Sequence, residues 1–298
     1  MKEKTKAVLA GLLDSEGSVS IGRHVSKQRT YIIKGKSYTY EGYTSYGAEV
    51  VVYNTYRPLM KYLVKHFGGT FRILRKETIN RQTMWAWIPD GADHNLSVLE
   101  TILPYIVLKK KQAQLCKAFL ELTGTCPEAR KALYEEYKEV ESGSLTTETN
   151  HILTWKNNLQ NAYFSAFFDG EGTASVYKSS TIWVANSNKN ILETIKFLYN
   201  GNDVTGGYRK GAKAERFPEY RVAIPVESME KFILRMLPYS VIKREQLLLT
   251  LENLRGVSKE RNEEIQKKMF ELKHPLGIKI QSGLIGDYES APMGTLVV

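Results

Sequence analysis

The chain contains the nonapeptide Leu9-Ala10-Gly11-Leu12-Leu13-Asp14-Ser15-Glu16-Gly17, which returns in altered form as Phe164-Ser165-Ala166-Phe167-Phe168-Asp169-Gly170-Glu171-Gly172. In both copies an apolar, helix-like run ends in an acid, a small residue, a second acid and a glycine. Because the C-terminal end of a helix carries partial negative charge, carboxylates there are unfavourable by up to about 1 kcal/mol. Sequences that break a local rule mark functional sites, and a cation bound by the acids would relieve the conflict.

The first run, residues 7–13, has almost no polar face, and a helix that is apolar all round must be buried all round. Small residues in both copies would allow a close approach of two helices: Ala10, Gly11, Ser165 and Ala166. We therefore expect the two helices to pack against each other. The last residue of each copy, Gly17 or Gly172, is expected to adopt the left-handed conformation that often ends a helix.

The segments that follow the two nonapeptides also correspond. Val19, Ile21 and Val25 alternate with polar positions, which is typical of a half-buried strand. The remaining periodicities predict strands at 18–25 and 46–53, a helix at 57–67 and strands at 70–74 and 83–88 in the first copy, and strands at 173–177 and 181–185, a helix at 189–199 and strands at 208–210 and 220–224 in the second. Residues 28–43 read as a long hairpin arm with little to bury.

A further repeat pairs Leu103-Pro104-Tyr105-Ile106-Val107-Leu108-Lys109 with Leu237-Pro238-Tyr239-Ser240-Val241-Ile242-Lys243. Each copy therefore reads helix, two strands, helix, two strands, helix, and the chain is an internal duplication. The predicted organisation is a first half at 1–124, a linker at 125–154 with a charged helix near 127–141, a second half at 155–254, and a C-terminal helix and tail at 255–298. The role of the tail is not readable from its sequence.

Composition narrows the class of protein. The chain has 298 residues, enough for two domains, and its net charge of +10 favours a polyanionic partner. No apolar run is long enough to span a membrane, and the charged start resembles a secretion signal only superficially. Two cysteines and five scattered histidines form no metal-binding pattern. We expect an intracellular protein, with cytoplasm, nucleoid and organelle not distinguished.

Together, the acidic nonapeptides and the paired Leu-Pro-Tyr elements resemble the single-chain LAGLIDADG homing endonucleases. The resemblance covers about residues 5–250 and is almost letter for letter at 9–17, whereas the second copy keeps mainly Asp169, Glu171 and Gly172. It implies an α+β fold of two pseudo-symmetric αββαββα halves. Their antiparallel sheets would form a saddle on DNA, with the motif helices at the pseudo-twofold interface.

The resemblance also implies roles for the motif residues. Glu16 and Glu171 would bind a divalent metal beside the scissile phosphates, while Asp14 and Asp169 would serve the helix ends and the interface. Lys109 and Lys243 match the basic residue near each active site of the family. We expect these two lysines to stabilise charge or orient solvent during phosphodiester hydrolysis. Gln112 and Gln246 match each other too, but are left outside the site.

Magnesium is the expected cofactor, because it takes oxygen ligands and needs only one or two carboxylates beside waters and substrate phosphate. Other divalent cations such as Mn2+ or Ca2+ could occupy the site. One carboxylate per half would give two sites for two strands. The expected activity is therefore site-specific, metal-dependent double-strand DNA cleavage by a monomer.

Specificity is expected from the strand faces turned away from the core, because a two-stranded ribbon fits the major groove of DNA. For any single position, the open alternative is that the side chain lies on an ordinary solvent-exposed sheet face and does not contact DNA. The predicted DNA-binding residues are Ser18, Ser20, Gly22, His24, Glu49, Thr70, Arg72, Thr173, Ser175, Tyr177, Ser179, Tyr208, Lys210 and Arg221. Trp85 and Trp87 share a strand face that we expect to pack in the core.

A different class of function is also open: an intron RNA maturase or a non-cleaving DNA-binding regulator on the same scaffold. Intron RNA is then a possible partner. Retention of both acids and both lysines argues against lost chemistry. We expect an intron-encoded or independent gene, because no splicing-domain sequence accompanies the two halves.

Overall fold

The structure, a computed structural model, describes residues 1–78, 81–122, 126–142, 149–177, 179–207 and 218–273. The predicted strand at 208–210 and the tail beyond residue 273 lie outside the described residues. Within those residues, no helix is both long and apolar enough to cross a membrane.

The first half has the predicted order of elements, including the hairpin arm, and continues into the charged helix predicted for the linker. It contains helix α1 (Glu3–Glu16), strands β1 (Gly17–Ser26), β2 (Arg29–Ile33), β3 (Lys36–Tyr40) and β4 (Tyr43–Asn54), helix α2 (Arg57–Phe67), strands β5 (Thr70–Arg75) and β6 (Met84–Ile88), and helices α3 (Gly91–Ile102), α4 (Lys110–Glu121) and α5 (Pro127–Ser142). The hairpin β2–β3 is exposed along its whole length and is the predicted arm.

The second half repeats this order without the hairpin. After a short 3-10 helix, Asn150–Thr154, it contains helix α6 (Asn157–Glu171), strands β7 (Gly172–Val176) and β8 (Ser180–Asn186), helix α7 (Lys189–Tyr199), strands β9 (Thr205–Gly207) and β10 (Glu219–Ile224), and helices α8 (Val226–Met236), α9 (Arg244–Leu254) and α10 (Lys259–Lys273). The helices α4 and α9 after the Leu-Pro-Tyr elements were not predicted as separate elements.

The two halves form matching antiparallel sheets. The strand orders are β1-β4-β6-β5 and β7-β8-β10-β9, and all the strand pairs in both sheets are antiparallel. The predicted α+β class with antiparallel sheets is confirmed. Each sheet buries one face under helices and leaves the other without a covering layer among the described elements.

Alternation along the strands decides which face is buried. Val19 and Ile21 are buried as predicted, whereas Val25 is 55% exposed because β1 continues beyond the edge of the core. Trp87 is fully buried, and its indole N–H donates to the carbonyl of Gly68 over 2.9 Å. Trp85 is half-buried on the same face and packs beneath Arg57. The predicted core packing of both tryptophans is confirmed.

Helices α1 and α6 pack against each other in the centre of the molecule. A Cβ atom on Gly11 would lie 2.3 Å from the carbonyl oxygen of Tyr163 and 3.0 Å from the Cβ of Ala166. The predicted close approach is therefore real at Gly11 and Ala166. Ser165 has a different partner, because its hydroxyl donates to the carbonyl of Met236 at the end of α8 over 2.8 Å.

The expectation of a left-handed glycine at each helix end is wrong. Gly17 has φ −99° and Gly172 has φ −85°, both extended conformations that lead directly into β1 and β7. Glycine is needed at both positions because a side chain would have no room. A Cβ would lie 2.5 Å from Leu13 Cδ2 in the first half and 2.1 Å from the Phe168 ring in the second. The chain thus turns from helix to strand without a separate loop.

Candidate active site

The acidic ends of α1 and α6 meet where the halves join. Glu16 is the last residue of α1, and Glu171 is the last residue of α6. A Cβ atom on Gly170 would lie 2.5 Å from Ser15 Oγ and 3.0 Å from Glu16 Cγ, so the end of one helix touches the end of the other. Both glutamates are half-buried. The structure thus brings the two proposed metal ligands into one centre.

Asp14 is turned away from this centre and caps helix α4. Its carboxylate accepts hydrogen bonds from the backbone N–H groups of Val107 at 2.8 Å, Leu108 at 3.1 Å and Lys109 at 2.9 Å. These groups lie at the start of α4, which has no side-chain cap of its own. A carboxylate at a helix N-terminus satisfies free N–H groups and complements the helix dipole. Asp14 therefore fixes α4 against α1.

Asp169 makes the equivalent contacts in the second half. It accepts from the backbone N–H groups of Val241 at 2.6 Å, Ile242 at 3.0 Å and Lys243 at 2.9 Å, and from the Ser240 hydroxyl at 2.6 Å. Burial raises the pKa of both motif aspartates, and these hydrogen bonds act in the opposite direction. The two Leu-Pro-Tyr elements are thus the turns that present N–H groups to the motif aspartates.

Lys109 reaches back to the C-terminal end of α1. Its Nζ donates to the carbonyl oxygens of Leu13 at 2.6 Å, Asp14 at 3.1 Å and Gly17 at 2.7 Å. An ammonium group has three N–H donors, and in this arrangement carbonyl oxygens accept all of them. Lys109 therefore supplies positive charge to the centre without a free N–H group.

Lys243 has the corresponding position at the end of α6. Its Nζ donates to the carbonyls of Phe168 at 3.1 Å and Gly170 at 3.5 Å and also to that of Asp169. The last turns of α1 and α6 contain no basic residue. The cation that complements each helix dipole comes instead from the N-terminal end of α4 or α9. The two lysines thus partly offset the unfavourable placement of acids at the negatively charged ends of α1 and α6.

Burial and charge shift the titration of the two glutamates. Burial raises the pKa of Glu16, against the opposing effects of Lys243, Asn54 and Lys109. Lys243, the stronger of the two lysines here, belongs to the other half. The acid of the first half is therefore coupled electrostatically to the second half.

Glu171 shows the same coupling in the reverse direction. Burial and the neighbouring Glu16 raise the pKa of Glu171 to about 7, against Lys109, Lys243 and Asn186. Lys109, from the opposite half, has the larger effect of the two lysines. Two carboxylates held close together in a partly desolvated place favour either a shared proton or a bound cation.

Asn54 and Asn186, which sequence reasoning did not assign to the site, support the glutamates. Asn186 Nδ2 donates to Glu171 Oε1 at 3.2 Å, and the Asn54 side chain hydrogen-bonds to Glu16. The Oδ1 atom of each asparagine accepts a backbone N–H two residues later, at 2.8 Å in the first half and 2.9 Å in the second. These turns orient the amide toward the acid. The available signal was that the second strand of each copy ends in asparagine.

Glu16, the glutamate of the first half, lines a cleft of about 920 Å³. Its wall includes polar and charged side chains from both halves, among them Glu16, Asn54, Gln82, Thr173, Lys243, Arg244, Gln246 and Lys273. The lining comes from α1, α6, β7, α9 and α10, together with the end of β4 and the turns before α2, β6 and α9. The cleft is therefore a junction between the two halves and not a pocket within one.

The donor set suits a hard divalent cation. Within the described residues, no three His, Cys, Asp or Glu side chains are grouped so that they could hold a metal without other ligands. Magnesium commonly takes one or two carboxylates and completes its coordination with water and substrate phosphate. Burial and Glu16 raise the pKa of Glu171 to about 7, so a divalent cation beside the two carboxylates would compete with the proton that Glu171 otherwise binds.

The first sheet presents seven of the fourteen predicted DNA-binding residues on one face. Ser20 pairs with Glu49 in register, and Arg72 pairs with Ala86, opposite the buried face of Trp87. The predicted residues on this face are Ser18, Ser20, Gly22, His24, Glu49, Thr70 and Arg72. The structure therefore gathers the whole predicted set of the first half on the sheet face opposite the core.

In the second sheet, the predicted DNA-binding residues within strands lie on the expected face, whereas two others lie in a turn. Thr173, Ser175 and Arg221 lie on the face opposite the core. Tyr177 and Ser179 are exposed in the turn after β7 because the strand ends at Val176. Tyr208 and Lys210 lie outside the described residues.

A tryptophan that sequence reasoning missed shares the polar face of the second sheet. The Arg221 guanidinium lies 4.8 Å from the centroid of the Trp183 ring and donates to Glu219 at 2.7 Å. Arg221 is thus already held in place by a ring and a carboxylate. No hydrophobic alternation distinguishes this position, because Trp183 occupies a solvent-side register between Thr181 and Ala185.

Comparisons with known proteins agree with this architecture. Residues 158–236 match the LAGLIDADG-like domain family. A structure of I-SmaMI bound to uncleaved DNA target with calcium ions has a TM-score of 0.58 and 15% identity, covering 90% of this chain and 98% of that one. The LAGLIDADG homing endonuclease I-GzeII in complex with DNA target has a TM-score of 0.59 and 16% identity, covering 89% and 97%. No curated protein sequence matches the chain.

Proposed function

We propose that this chain, which carries a LAGLIDADG-like domain and has the fold of the LAGLIDADG homing endonucleases, is a site-specific double-strand DNA endonuclease that needs a divalent metal. The observation that carries the proposal is the meeting of Glu16 and Glu171 at the junction of two polar-faced antiparallel sheets. Because one chain supplies both glutamates, a monomer can cut both strands.

Glu16 and Glu171 would hold the metal, and Mg2+ is the proposed ion. When bound, it would activate water and neutralise charge on the scissile phosphoryl oxygens. Asn54 and Asn186 orient the two carboxylates through the contacts described above. Asp14 and Asp169 act at a distance from the phosphates, because they anchor the helices that carry the lysines.

The contacts of the lysines support a positioning and electrostatic role. Lys109 donates to three carbonyl oxygens at the end of α1, so its charge lowers the negative potential around both acids while its N–H groups stay occupied. Lys243 has one long contact, at 3.5 Å, and can more readily release that donor to a phosphate or a water. We propose that both lysines assist cleavage, Lys109 chiefly through its charge.

Affinity for DNA would come from the basic charge and the sheet faces. The net charge of +10 favours a polyanion, since lysine and arginine gain from the release of phosphate counterions. The polar strand residues supply donors and acceptors that can meet base edges in the major groove. We therefore propose duplex DNA as the partner, with binding that weakens steeply as salt increases.

Cleavage selection tests the proposal directly. Native protein incubated with Mg2+ and a library of long duplexes should produce double-strand ends at one preferred site. Glu16→Gln and Glu171→Gln should abolish duplex cutting and leave binding intact. Glu227→Gln, an exposed change at the start of α8, is the control and should cut at the native rate.

Two results would contradict the proposal. If Glu16→Gln and Glu171→Gln still cut both strands, the metal assignment is wrong. If the native chain binds duplex tightly but cuts neither strand with Mg2+ or Mn2+, the non-cleaving alternative holds. An intron-splicing assay run in parallel then separates a maturase from a DNA-binding regulator.

A further inference from the structure

Helix α10 extends one edge of the candidate active site. Its last residue, Lys273, lines the same cleft as Glu16 and Lys243, and its charge acts on Lys243. The helix is anchored, because Ile265 and Met269 are buried in a small apolar cluster. Lys273 is exposed and forms part of the wall of the cleft.

Helix α5 in the first half corresponds to α10, but an acidic residue takes the place of Lys273. Helix α5 packs against α4 and β1 as α10 packs against α9 and β7. Counted from the first residue of each helix, Leu133 and Tyr137 correspond to the buried Ile265 and Met269. By the same count the counterpart of Lys273 is Glu141. The duplication therefore includes these helices but not the lysine.

The surroundings of Lys273 leave its charge available. Among the described residues, no carboxylate lies within ion-pair distance of its ammonium group, whereas Lys268 on the same helix pairs with Glu245 at 2.6 Å. Lys273 is exposed, and partial desolvation by the cleft wall lowers its pKa. A phosphate oxygen would be a strong partner, since hydrogen bonds between ions are stronger than neutral ones.

We propose that Lys273 contacts a backbone phosphate beside one of the two scissile phosphates, so that the two strands are cut with unequal assistance. The contact rests on the proposed function for its substrate, duplex DNA. It adds a third lysine to one side of a centre that is otherwise built from matched pairs. The strand beside the second half would depend on Lys273, and the other strand would not.

Single-turnover cleavage with each strand separately labelled tests this contact. With saturating enzyme, Lys273→Ala should slow the cutting of one strand roughly tenfold, leave the other unchanged and accumulate nicked duplex. Lys273→Arg should restore most of the rate. Lys267→Ala, an exposed change on the same helix, should cut both strands as the native chain does. If Lys273→Ala slows both strands by the same factor relative to the native protein, or slows neither, the proposal is overturned.

A binding measurement separates this inference from the proposed function. Loss of one phosphate contact should reduce the slope of log affinity against log salt by about 0.9 in Lys273→Ala. Native protein that binds but does not cut would refute the nuclease, while the salt slope would still report on Lys273. A slope in Lys273→Ala equal to that in Lys267→Ala would overturn the contact.

Discussion

Tyr163 on α6 donates its phenolic hydrogen to Asp14 Oδ2 on α1 over 2.7 Å, and both side chains are buried. The same carboxylate caps α4, so one acid joins three helices from both halves. Its counterpart, Asp169, receives the Ser240 hydroxyl from its own half instead. Of the two motif aspartates, Asp14 bonds across the interface and Asp169 bonds within its own half, although the helices around them repeat.

Tyr163→Phe should lower the free energy of unfolding by about 1–3 kcal/mol, because a buried carboxylate loses a donor. The ring and its stacking on Phe167 are retained, so the change reports on the hydroxyl. Chemical denaturation at neutral pH measures the effect. Tyr62→Phe is the control, since the Tyr62 hydroxyl has no hydrogen-bond partner among the described residues. Equal stability changes in the two variants would contradict this account.

Gly11→Ala should destabilise the protein although alanine favours helices by about 1 kcal/mol over glycine. The new Cβ would lie 2.3 Å from a backbone oxygen of α6, which cannot move without the whole helix. Overpacking of this kind costs about 1–3 kcal/mol. Thermal or chemical denaturation should therefore show a net loss of stability.

Gly47→Ala provides the matched control for Gly11→Ala. A Cβ on Gly47 meets no atom within 4 Å, so the change should be neutral or slightly stabilising. Ala166→Gly added to Gly11→Ala should not restore stability, because the nearest contact is to backbone. Full rescue by Ala166→Gly would show that the side-chain contact, and not the backbone, limits the approach of α1 and α6.

Local sequence patterns were sufficient to predict the duplicated architecture and the approach of the two acidic helix ends. The apolar run before Asp14 had to be buried, and the second run before Asp169 offered a partner of the same kind. Alternation also separated the polar strand faces from the core, since the period of two in a strand is a local property. It failed at Val25, where the strand continues but the helices above it do not.

The supporting contacts of the site could not be predicted, because they join residues far apart in the chain. Lys109 Nζ bonds to the Gly17 carbonyl across much of the first half, and nothing near Gly17 indicates it. Asn186 and Glu171 are closer in sequence, but only the turn after β8 aims the amide at the acid. Lys273 becomes part of the cleft only through the packing of α10.

Asn186→Asp should keep the turn and weaken the site. Aspartate retains an oxygen for the backbone N–H of Asn188, whereas it removes the N–H that donates to Glu171 and adds a like charge. We expect cleavage to slow by about 10–100-fold, the range typical of outer ligands at metal sites. The pH at which activity is half-maximal should also rise. Single-turnover rates across pH measure both effects.

Asn157→Asp is the control for the added charge in Asn186→Asp. It makes the same substitution at the opposite end of α6, where Asn157 is exposed. A carboxylate there complements the helix dipole, so stability and cleavage should be unchanged or slightly improved. If both variants lose the same activity, a general charge effect and not the Glu171 contact is responsible.

The stability of the metal-free protein should fall between pH 4.5 and about 7. The folded protein raises the pKa of Glu171 from its ordinary 4.5 to about 7, so the native state binds this proton more tightly than the unfolded chain. That contribution is complete below pH 4.5 and is lost as the pH rises through 7. Denaturation in EDTA should show the fall in native protein and a smaller one in Glu171→Gln.

Mg2+ should reverse this trend, because the cation and the proton compete for the same carboxylates. Above pH 7, where Glu171 is ionised, Mg2+ should stabilise the native protein, by about 2.7 kcal/mol when its concentration is a hundred times the dissociation constant. At pH 5 the stabilisation should be much smaller, and in Glu171→Gln it should be small at both pH values. Denaturation without DNA at pH 5 and pH 8, with Mg2+ or EDTA, measures the difference. Equal stabilisation of the native protein at both pH values, retained in Glu171→Gln, would place the bound metal away from these acids.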